Sequence, residues 1–246
     1  MRRRVAAALC GIMALGLSVQ AALAEPTRLM VRALAQDAKF IGTHTGGVDV
    51  TLTDVRTGRV LASGRILGGT GDTARIMQTP RTRGQTLADA ATAGYEAVLD
   101  LAEPTLVRVD ARGPLGVPAS TISVSSTLWM LPGRDVVGDG LVLTFPGFAI
   151  EPAVTRGADG ARTISAKVSM MCGCPITPGG LWDAADLTVS ADLLAGGQVV
   201  ATVPLHYAGQ PSQFASEPVA APSTVTAIRV VAASRTTSNA GSARVP

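Results

Sequence analysis

Four sulfur-bearing side chains lie close together in the sequence MMCGCPITPGG, residues 170–180. The chain has only three cysteines, and two of them, Cys172 and Cys174, belong to this group. Thiolate and thioether groups are soft ligands that select Cu(I), and two neighbouring thiols also form a disulfide under oxidising conditions. In this segment the residue types and their spacing predict chemistry more strongly than elsewhere in the chain.

One interpretation of the segment is a soft-metal site. Cys172 and Cys174 would bind Cu(I) as thiolates, with Met170 as a thioether ligand. His206 would supply a nitrogen ligand instead, which favours zinc if Asp183 completes the set. Cu(I) and zinc are thus the two metals that these residues predict. A single C-x-C lacks the second ligand pair of the common structural zinc sites.

A second interpretation is a small disulfide between Cys172 and Cys174. Residues two apart on a strand point to the same side, and a bend at Gly173 would bring the two sulfur atoms together. The ring that closes is tiny, so we expect a small gain in stability and an easily reduced bond. A third interpretation, thiol–disulfide exchange, usually involves C-x-x-C at the start of a helix. The residues alone leave all three interpretations open.

The other candidate residues form no recognisable catalytic motif. His44 and His206 are the only histidines, so one chain cannot supply a three-histidine metal centre, and His44 is predicted to be a solvated loop residue. The sequence contains neither G-x-S-x-G nor H-E-x-x-H. Trp129 and Trp182 are predicted to be large core or inter-sheet anchors. We therefore expect no enzymatic activity.

The first 24 residues have the features of a cleavable export signal. Three arginines at positions 2–4 precede an apolar run, and Ala-Leu-Ala at residues 22–24 has the small-residue spacing of a cleavage site. The apolar run is shorter than the about 20 residues that span a bilayer, and no later segment comes close. We expect cleavage after Ala24, a periplasmic or secreted protein, and no integral membrane segment in the mature chain.

Removal of this segment changes the charge balance. The whole chain has 21 Lys and Arg against 18 Asp and Glu, but three of the arginines lie in the first 24 residues, which leaves 18 of each. Binding to nucleic acid or to an anionic membrane requires a net or clustered positive charge. We therefore expect no nucleic-acid partner. Another exported protein is the partner class that these observations predict.

Alternating apolar and polar residues predict β-strands along most of the mature chain. In VDVTLTD, residues 48–54, valine and leucine alternate with aspartate and threonine, which is the pattern of a half-buried strand. DVRTG, residues 54–58, predicts a hairpin turn. The glycines at residues 196–197 predict a second hairpin, and Pro-Gly at residues 146–147 predicts a further strand pair.

The run VDVTLTDVRTGRVLASG, followed by AGYEAVLDL and TLVRVDARG, resembles the carboxypeptidase regulatory-like domain over residues 27–113. That family is a transthyretin-like β-sandwich with a D-x-x-T-G hairpin and a later G-x-Y strand. The resemblance implies a non-catalytic module that is fused to or partners other proteins, and it assigns no active-site residue. After it, GPLGVP at residues 113–118 predicts a linker. The spacing of the later strands predicts an immunoglobulin-like sandwich.

Together these features predict an all-β protein of two β-sandwich domains, transthyretin-like and then immunoglobulin-like. The predicted function is an exported, non-catalytic binding or accessory protein with a soft-metal site of Met170, Cys172, Cys174 and His206. The alternative is a structural or protein-interaction module whose cysteine pair is a small disulfide. The predicted segments are a signal peptide at 1–24, the first sandwich at 25–113, the second at 118–235 and a flexible tail at 236–246.

Overall fold

The structure is a computed structural model that describes residues 24–158, 160–220 and 222–245. The predicted signal segment lies outside these residues except for Ala24. β-Strands dominate the described chain, which confirms the predicted all-β class. No helix within it has the length and apolar character needed to cross a membrane. The strands are β1 (Glu25–Ala35), β2 (Val48–Asp54), β3 (Val60–Ile66), β4 (Tyr95–Leu101), β5 (Thr105–Gly113), β6 (Ile122–Met130), β7 (Val136–Phe145), β8 (Phe148–Arg156), β9 (Arg162–Met170), β10 (Leu187–Ala195), β11 (Gln198–Tyr207), β12 (Gln213–Ala215), β13 (Ala227–Ser234) and β14 (Ala240–Val245).

The strands β1 to β7 form two sheets that share one core. One sheet has the order β4-β1-β7 and the other the order β3-β2-β5-β6. The alternation in β2 buries Val50 and Leu52 in this core, together with Leu29 of β1 and Phe145 of β7. Thr51 between them is half-buried on the opposite face. The predicted hairpin of β2 and β3 is confirmed, because the two strands pair antiparallel.

The segment predicted as a linker, residues 113–118, does not separate the sheets. β5 pairs with β6 across this segment, and β1 pairs in parallel with β7. The boundary between the sheets of β1 to β7 and the sheet of β8 to β14 falls instead at residues 146–147. The predicted strand pair at that position is wrong, because β7 and β8 belong to different sheets. Alternation identifies a strand but not its partner, so the boundary at 113–118 needs this correction.

The strands β8 to β14 form one sheet in the order β14-β13-β10-β11-β12-β9-β8. The predicted hairpin at residues 196–197 is confirmed by the antiparallel pairing of β10 and β11. The sheet curls until its edge strands, β8 and β14, lie side by side. A helical turn at Pro118–Ser120 packs against both edges, and the Ser120 hydroxyl accepts a hydrogen bond from the Ile150 amide of β8 at 2.8 Å. This sheet is therefore nearly closed.

The C-terminal residues do not form the predicted flexible tail at 236–246. Residues 240–245 are β14, which pairs antiparallel with β13. Asn239, just before β14, is 1% exposed, and its side chain accepts from the Gly147 amide at 2.6 Å and donates to the Gly147 carbonyl at 3.2 Å. These bonds hold the start of β14 against the start of β8. The tail prediction failed because the small residues in this strand give a weak periodic signal.

A long connection between β3 and β4, residues 67–94, covers the outer side of the sheet that contains β1. Phe40 and Ile76 form a small second core there with apolar side chains of β1 and β7. Arg32 of β1 is 6% exposed and donates to backbone carbonyl groups on both sides, including that of Thr92 at 2.6 Å. Burial lowers the pKa of this guanidinium. Its hydrogen bonds to carbonyl oxygens attach the connection to the sheet.

Candidate functional site

The sulfur-rich segment forms a tight loop at the end of β9. The Gly173 amide donates to the Met170 carbonyl at 2.7 Å, and the Met170 amide donates to the Cys174 carbonyl at 3.1 Å. Gly173 has φ +80°, a conformation that favours glycine. The bend brings the Cα atoms of Cys172 and Cys174 to 5.4 Å, and their sulfur atoms form a disulfide. The geometry thus matches the predicted bend and the disulfide interpretation.

All four sulfur side chains of this loop are buried. Cys172 and Cys174 are 1% and 7% exposed, and Met170 and Met171 are 4% and 1% exposed. They belong to the continuous core that runs through both sets of sheets. In thiol–disulfide exchange an attacking thiolate must reach one of the two sulfur atoms, and the sulfur atoms of this loop are almost inaccessible. The loop therefore contributes apolar packing where the two parts of the chain meet.

The loop and the residues after it contact the first part of the chain at two points. His44 and Thr45 lie so close to Gly173 that a side chain at that position would collide with them. Farther along, the Trp182 indole N–H donates to the Asp37 carbonyl at 2.9 Å. Trp182 is half-buried and so acts partly as the predicted anchor. His44 is exposed, as predicted for a solvated residue, but sequence reasoning missed its contact with the loop.

Ser212 holds the other side of the loop in place. Its amide and hydroxyl pair with the Ile176 backbone at 2.8 Å and 3.1 Å, and its carbonyl accepts from the Val168 amide of β9 at 2.7 Å. Ser212 is 3% exposed and has φ +66°, which is uncommon for a residue other than glycine. Such a conformation persists where surrounding hydrogen bonds determine it. The disulfide loop is therefore fixed on both sides.

The structure holds three of the predicted metal ligands, Met170, Cys172 and Cys174, in one loop but places the fourth, His206, on another strand. His206 is exposed on β11 and lines a cleft of about 470 Å³, whereas Met170 lines a different cavity of about 160 Å³. Asp183 borders both, but its carboxylate accepts from the amide two residues later at 2.9 Å. Among the described residues, no three side chains of His, Cys, Asp or Glu group to hold a metal ion. The Cys172 and Cys174 thiols are already joined to each other.

The D-x-x-T-G motif that carries the family resemblance has a structural role in this chain. The Asp54 carboxylate accepts from the Thr57 hydroxyl at 2.7 Å and from the Arg56 and Thr57 amides at 2.8 and 3.3 Å. The hydrogen bond from Thr57 is the main reason that the Asp54 pKa lies below its usual value. Gly58 follows with φ +72° and completes the turn. The motif therefore explains the hairpin of β2 and β3 without a binding role.

Trp129 is the residue whose position differs most from its predicted role. It is 65% exposed on β6, whereas its neighbour Met130 is 0% exposed in the core. Since side chains alternate along a strand, burial of Met130 places Trp129 on the outer face. There Trp129 lies opposite Leu106 of β5, and Val55, 47% exposed, donates its amide to the Leu106 carbonyl. The prediction of Trp129 as a core anchor is therefore wrong, and an exposed apolar patch stands in its place.

Trp129 lies on an edge strand that differs from the other edges of the sheets. Within the described chain, β6 pairs with β5 on one side and with no strand on the other, which we term the open edge of β6. Its sequence ISVSSTLWM contains no charged residue, proline or glycine. The other strands that end the sheets each carry residues that discourage further pairing. These are Gly64 and Arg65 in β3, Glu96 and Asp100 in β4, Gly138 and Asp139 in β7, Glu151 and Pro152 in β8, and Gly241 and Arg244 in β14.

Comparison with known proteins adds no family to these observations. No protein-family model matches the chain, and a search of curated proteins also gave no match. The geometry of the disulfide loop and of the open edge of β6 is thus the basis for a functional conclusion.

Proposed function

We propose that this chain is an exported, non-catalytic β-sandwich module that binds another protein chain through the open edge of β6. The observation that carries the proposal is Trp129, which is 65% exposed on an edge strand of nine residues without charge, proline or glycine. Edge strands normally carry such features because unpaired backbone groups bind other strands. Their absence on β6 indicates that pairing at this edge is tolerated or used.

The chemistry of the open edge fits an extended segment of a partner chain. Alternate residues of β6 direct unpaired N–H and C=O groups away from β5, and an added strand satisfies these groups as a neighbouring strand does. Exposed tryptophan contributes strongly to protein interfaces, since its large rigid surface is removed from water on binding. Leu106 and Val55 extend the apolar surface around Trp129. Backbone pairing supplies affinity, and this patch supplies specificity.

The disulfide loop supports export and has a structural role in the proposal. Disulfides form and persist in oxidising compartments, and residues 1–24 have the pattern of an export signal. The loop that the Cys172–Cys174 bond closes packs against His44 and is buried in the shared core. We assign this pair to the maintenance of the contact between the two parts of the chain rather than to metal binding.

The proposal includes a finer division of the fold. We propose a transthyretin-like unit from β1 to β7, residues 25–145, followed by an immunoglobulin-like unit from β8 to β14, residues 148–245. The first unit contains the hairpin that resembles the carboxypeptidase regulatory-like domain. Support comes from the sheets, since in the part of the chain that the structure describes no sheet contains strands from both units. In that family such modules partner other proteins, which agrees with a binding function.

Site-specific photocrosslinking in the host cell tests the binding function. A photoreactive amino acid replaces Thr127, which is exposed on β6, or Val98, which is 59% exposed on the outer face of β4 and serves as the control. We expect a covalent adduct of defined mass at Thr127 and none at Val98. Equal labelling at both positions, or no adduct at Thr127, would contradict the proposal.

Intact mass measurement separates this function from the soft-metal alternative. The protein is purified from the exported fraction without chelator and weighed before and after alkylation, with elemental analysis of the same sample. We expect a chain that begins after Ala24, is two hydrogens lighter than its reduced form and resists alkylation. Two free thiols with near-stoichiometric copper or zinc, lost in Cys172→Ser, would instead support the metal site.

A further inference from the structure

We infer that the partner at the open edge of β6 is a second copy of this chain, paired antiparallel about a two-fold axis at Ser126. This inference rests on the proposed function, because it names the occupant of the same edge. Four features of β6 and its neighbour β5 support it: the length of the strand, its inner face, its outer face and its charge. Each makes β6 complementary to itself.

The length of β6 favours one register. The strand has nine residues and extends roughly 30 Å. In an antiparallel pair of identical strands, the register that uses all nine residues places the central residue, Ser126, opposite its own counterpart. A shift by one residue would turn the inner side chains of one copy towards the outer face of the other. Full pairing would join the two four-stranded sheets into one continuous sheet.

Apart from Ser126 at the axis, the inner face of β6 places apolar side chains opposite apolar side chains in this register. Ile122 faces Met130 of the second copy, and Val124 faces Leu128 of the second copy, each pair occurring twice by symmetry. Ile122, Val124 and Leu128 are only partly buried in the single chain, although they pack against the core. A strand added at the open edge would cover these side chains, so their burial favours association.

The outer face places large side chains opposite small ones. Trp129 of one copy lies opposite Ser123 of the other, and Arg112 of β5 is the cross-strand neighbour of Ser123. Arg112 is exposed, so its guanidinium can extend over the short serine side chain to the indole of the second copy. A guanidinium over an indole face is an attractive cation–π contact. Two such contacts, related by the two-fold axis, form in the dimer.

The charge distribution adds no repulsion to this pairing. β6 itself carries no charge, so no like charges meet at the axis. In the rows that run across the joined sheets, Asp110 is the neighbour of Ser125 and Arg108 is the neighbour of Thr127. Ser125 of one copy faces Thr127 of the other, so these rows place Asp110 and Arg108 of different copies on either side of the axis. Arg108 and Asp110 already form an ion pair within each copy at 2.8 Å, so these rows bring no unpaired charge to the axis.

Cysteine cross-linking tests the inferred register on the full mature chain. Ser126→Cys places two thiols opposite each other, where directly paired residues have Cα atoms about 4.5–5.5 Å apart, within the range of a disulfide, so mild oxidation should link most chains into dimers. Ser123→Cys is the matched control on the same strand, because it faces Trp129 and should give at least about tenfold less covalent dimer. In the chain without added cysteine, Trp129→Ala should raise the dissociation constant of the dimer about tenfold or more.

The outcomes separate this inference from the proposed function. Selective cross-linking through Ser126→Cys supports the inferred dimer. Equal cross-linking from both cysteine variants, or a monomer in both, overturns it. If the chain is monomeric while a photoreactive residue at Thr127 still gives an adduct with a different protein, the inference fails and the proposed function stands. If that adduct is also absent, both fail.

Discussion

The two parts of this chain treat their sheet edges in opposite ways. The sheet of β8 to β14 curls until its edge strands β8 and β14 meet along a line that we term the seam. The Ser120 side chain hydrogen-bonds to Ile150 of β8, and the Asn239 side chain hydrogen-bonds to Gly147 just before β8. The sheets of β1 to β7 leave β6 unpaired on one side, and Trp129 of this strand is exposed. An edge that is closed by buried polar side chains contributes stability, while an edge without charge or proline is available to another chain.

This difference assigns separate roles to the two parts. The nearly closed sheet has its polar groups satisfied internally, so substitutions at its seam should reduce stability and leave association unchanged. The open edge of β6 pairs with no further strand in the described chain, so substitutions there should reduce association and leave stability unchanged. The following predictions, ordered from the largest expected effect to the smallest, test this separation.

Asn239→Ala should have the largest effect on stability. It removes the two hydrogen bonds to Gly147 and leaves the buried backbone amide of Gly147 without this partner, so we expect the free energy of unfolding to fall by about 2–4 kcal/mol. Urea unfolding of the mature chain measures the change. Asn239→Asp is the matched control, since its carboxylate still accepts from Gly147 but no longer donates. An unchanged unfolding midpoint in Asn239→Ala would contradict the role of this seam.

Loss of the disulfide should have a smaller effect. For a ring as small as that between Cys172 and Cys174, the double alanine variant should lose about 1–2 kcal/mol of unfolding free energy. The same urea experiment on the reduced wild-type chain provides the comparison. Because the loop contributes no residue to the open edge of β6, we expect the association of the variant to match the wild type. Loss of association in the variant would place the binding surface elsewhere.

A pH-dependent contribution should come from Asp192 in the centre of the nearly closed sheet. Burial raises the pKa of this carboxyl, but hydrogen bonds from Arg229 and Thr202 outweigh that effect and lower it. The contribution to stability is therefore present above the ordinary Asp pKa of about 3.9 and is lost as the pH falls through the lowered pKa. Asp192→Asn should cost about 1–2 kcal/mol at pH 7.

The measurement for Asp192 is urea unfolding of both proteins across this pH range. The difference between wild type and Asp192→Asn should shrink below about pH 4, since the wild-type carboxyl is then being protonated. Asp110→Asn is the control in the first part of the chain. Its ion pair with Arg108 is half-exposed, so the loss should stay within about 0.5 kcal/mol. A difference that grows at low pH would contradict the account of Asp192.

Thr127→Lys should have the smallest effect on stability and a complete effect on association. Thr127 is exposed, so the free energy of unfolding of the dilute monomer should change by less than about 0.5 kcal/mol. A lysine on an edge strand opposes pairing with another strand because its charge would be placed in the new sheet. Thr127→Val is the control that keeps the strand preference without a charge. A large loss of stability would show that β6 already has a partner within the fold.

The strands and their turns were predictable from the sequence because their signals are local. Alternation in residues 48–54 and the turn residues of the Asp54–Gly58 hairpin depend on neighbours a few positions away. The partners of the strands were not predictable in this way. The pairing of β1 with β7 joins residues more than 100 positions apart, and no local pattern encodes it. The boundary at 113–118 was misplaced for this reason.

The candidate site was predictable only in part. The C-x-C spacing and Gly173 indicated a disulfide bend, and the structure has one. The contact of His44 with that bend depends on how the two parts pack, which the sequence does not reveal. Trp129 illustrates a different limit. Its position follows from the phase of alternation once Met130 is known to be buried, but size alone suggested a core role.

The most direct test of the open edge of β6 as an association surface is the mass of the mature chain as a function of concentration. Sedimentation equilibrium or light scattering of the wild type, Thr127→Lys and Thr127→Val provides it. We predict that the wild type and Thr127→Val shift from monomer to dimer as the concentration rises, while Thr127→Lys remains a monomer. A wild type that stays monomeric throughout would contradict the inferred dimer, and a Thr127→Lys variant that dimerises like the wild type would contradict β6 as the association surface.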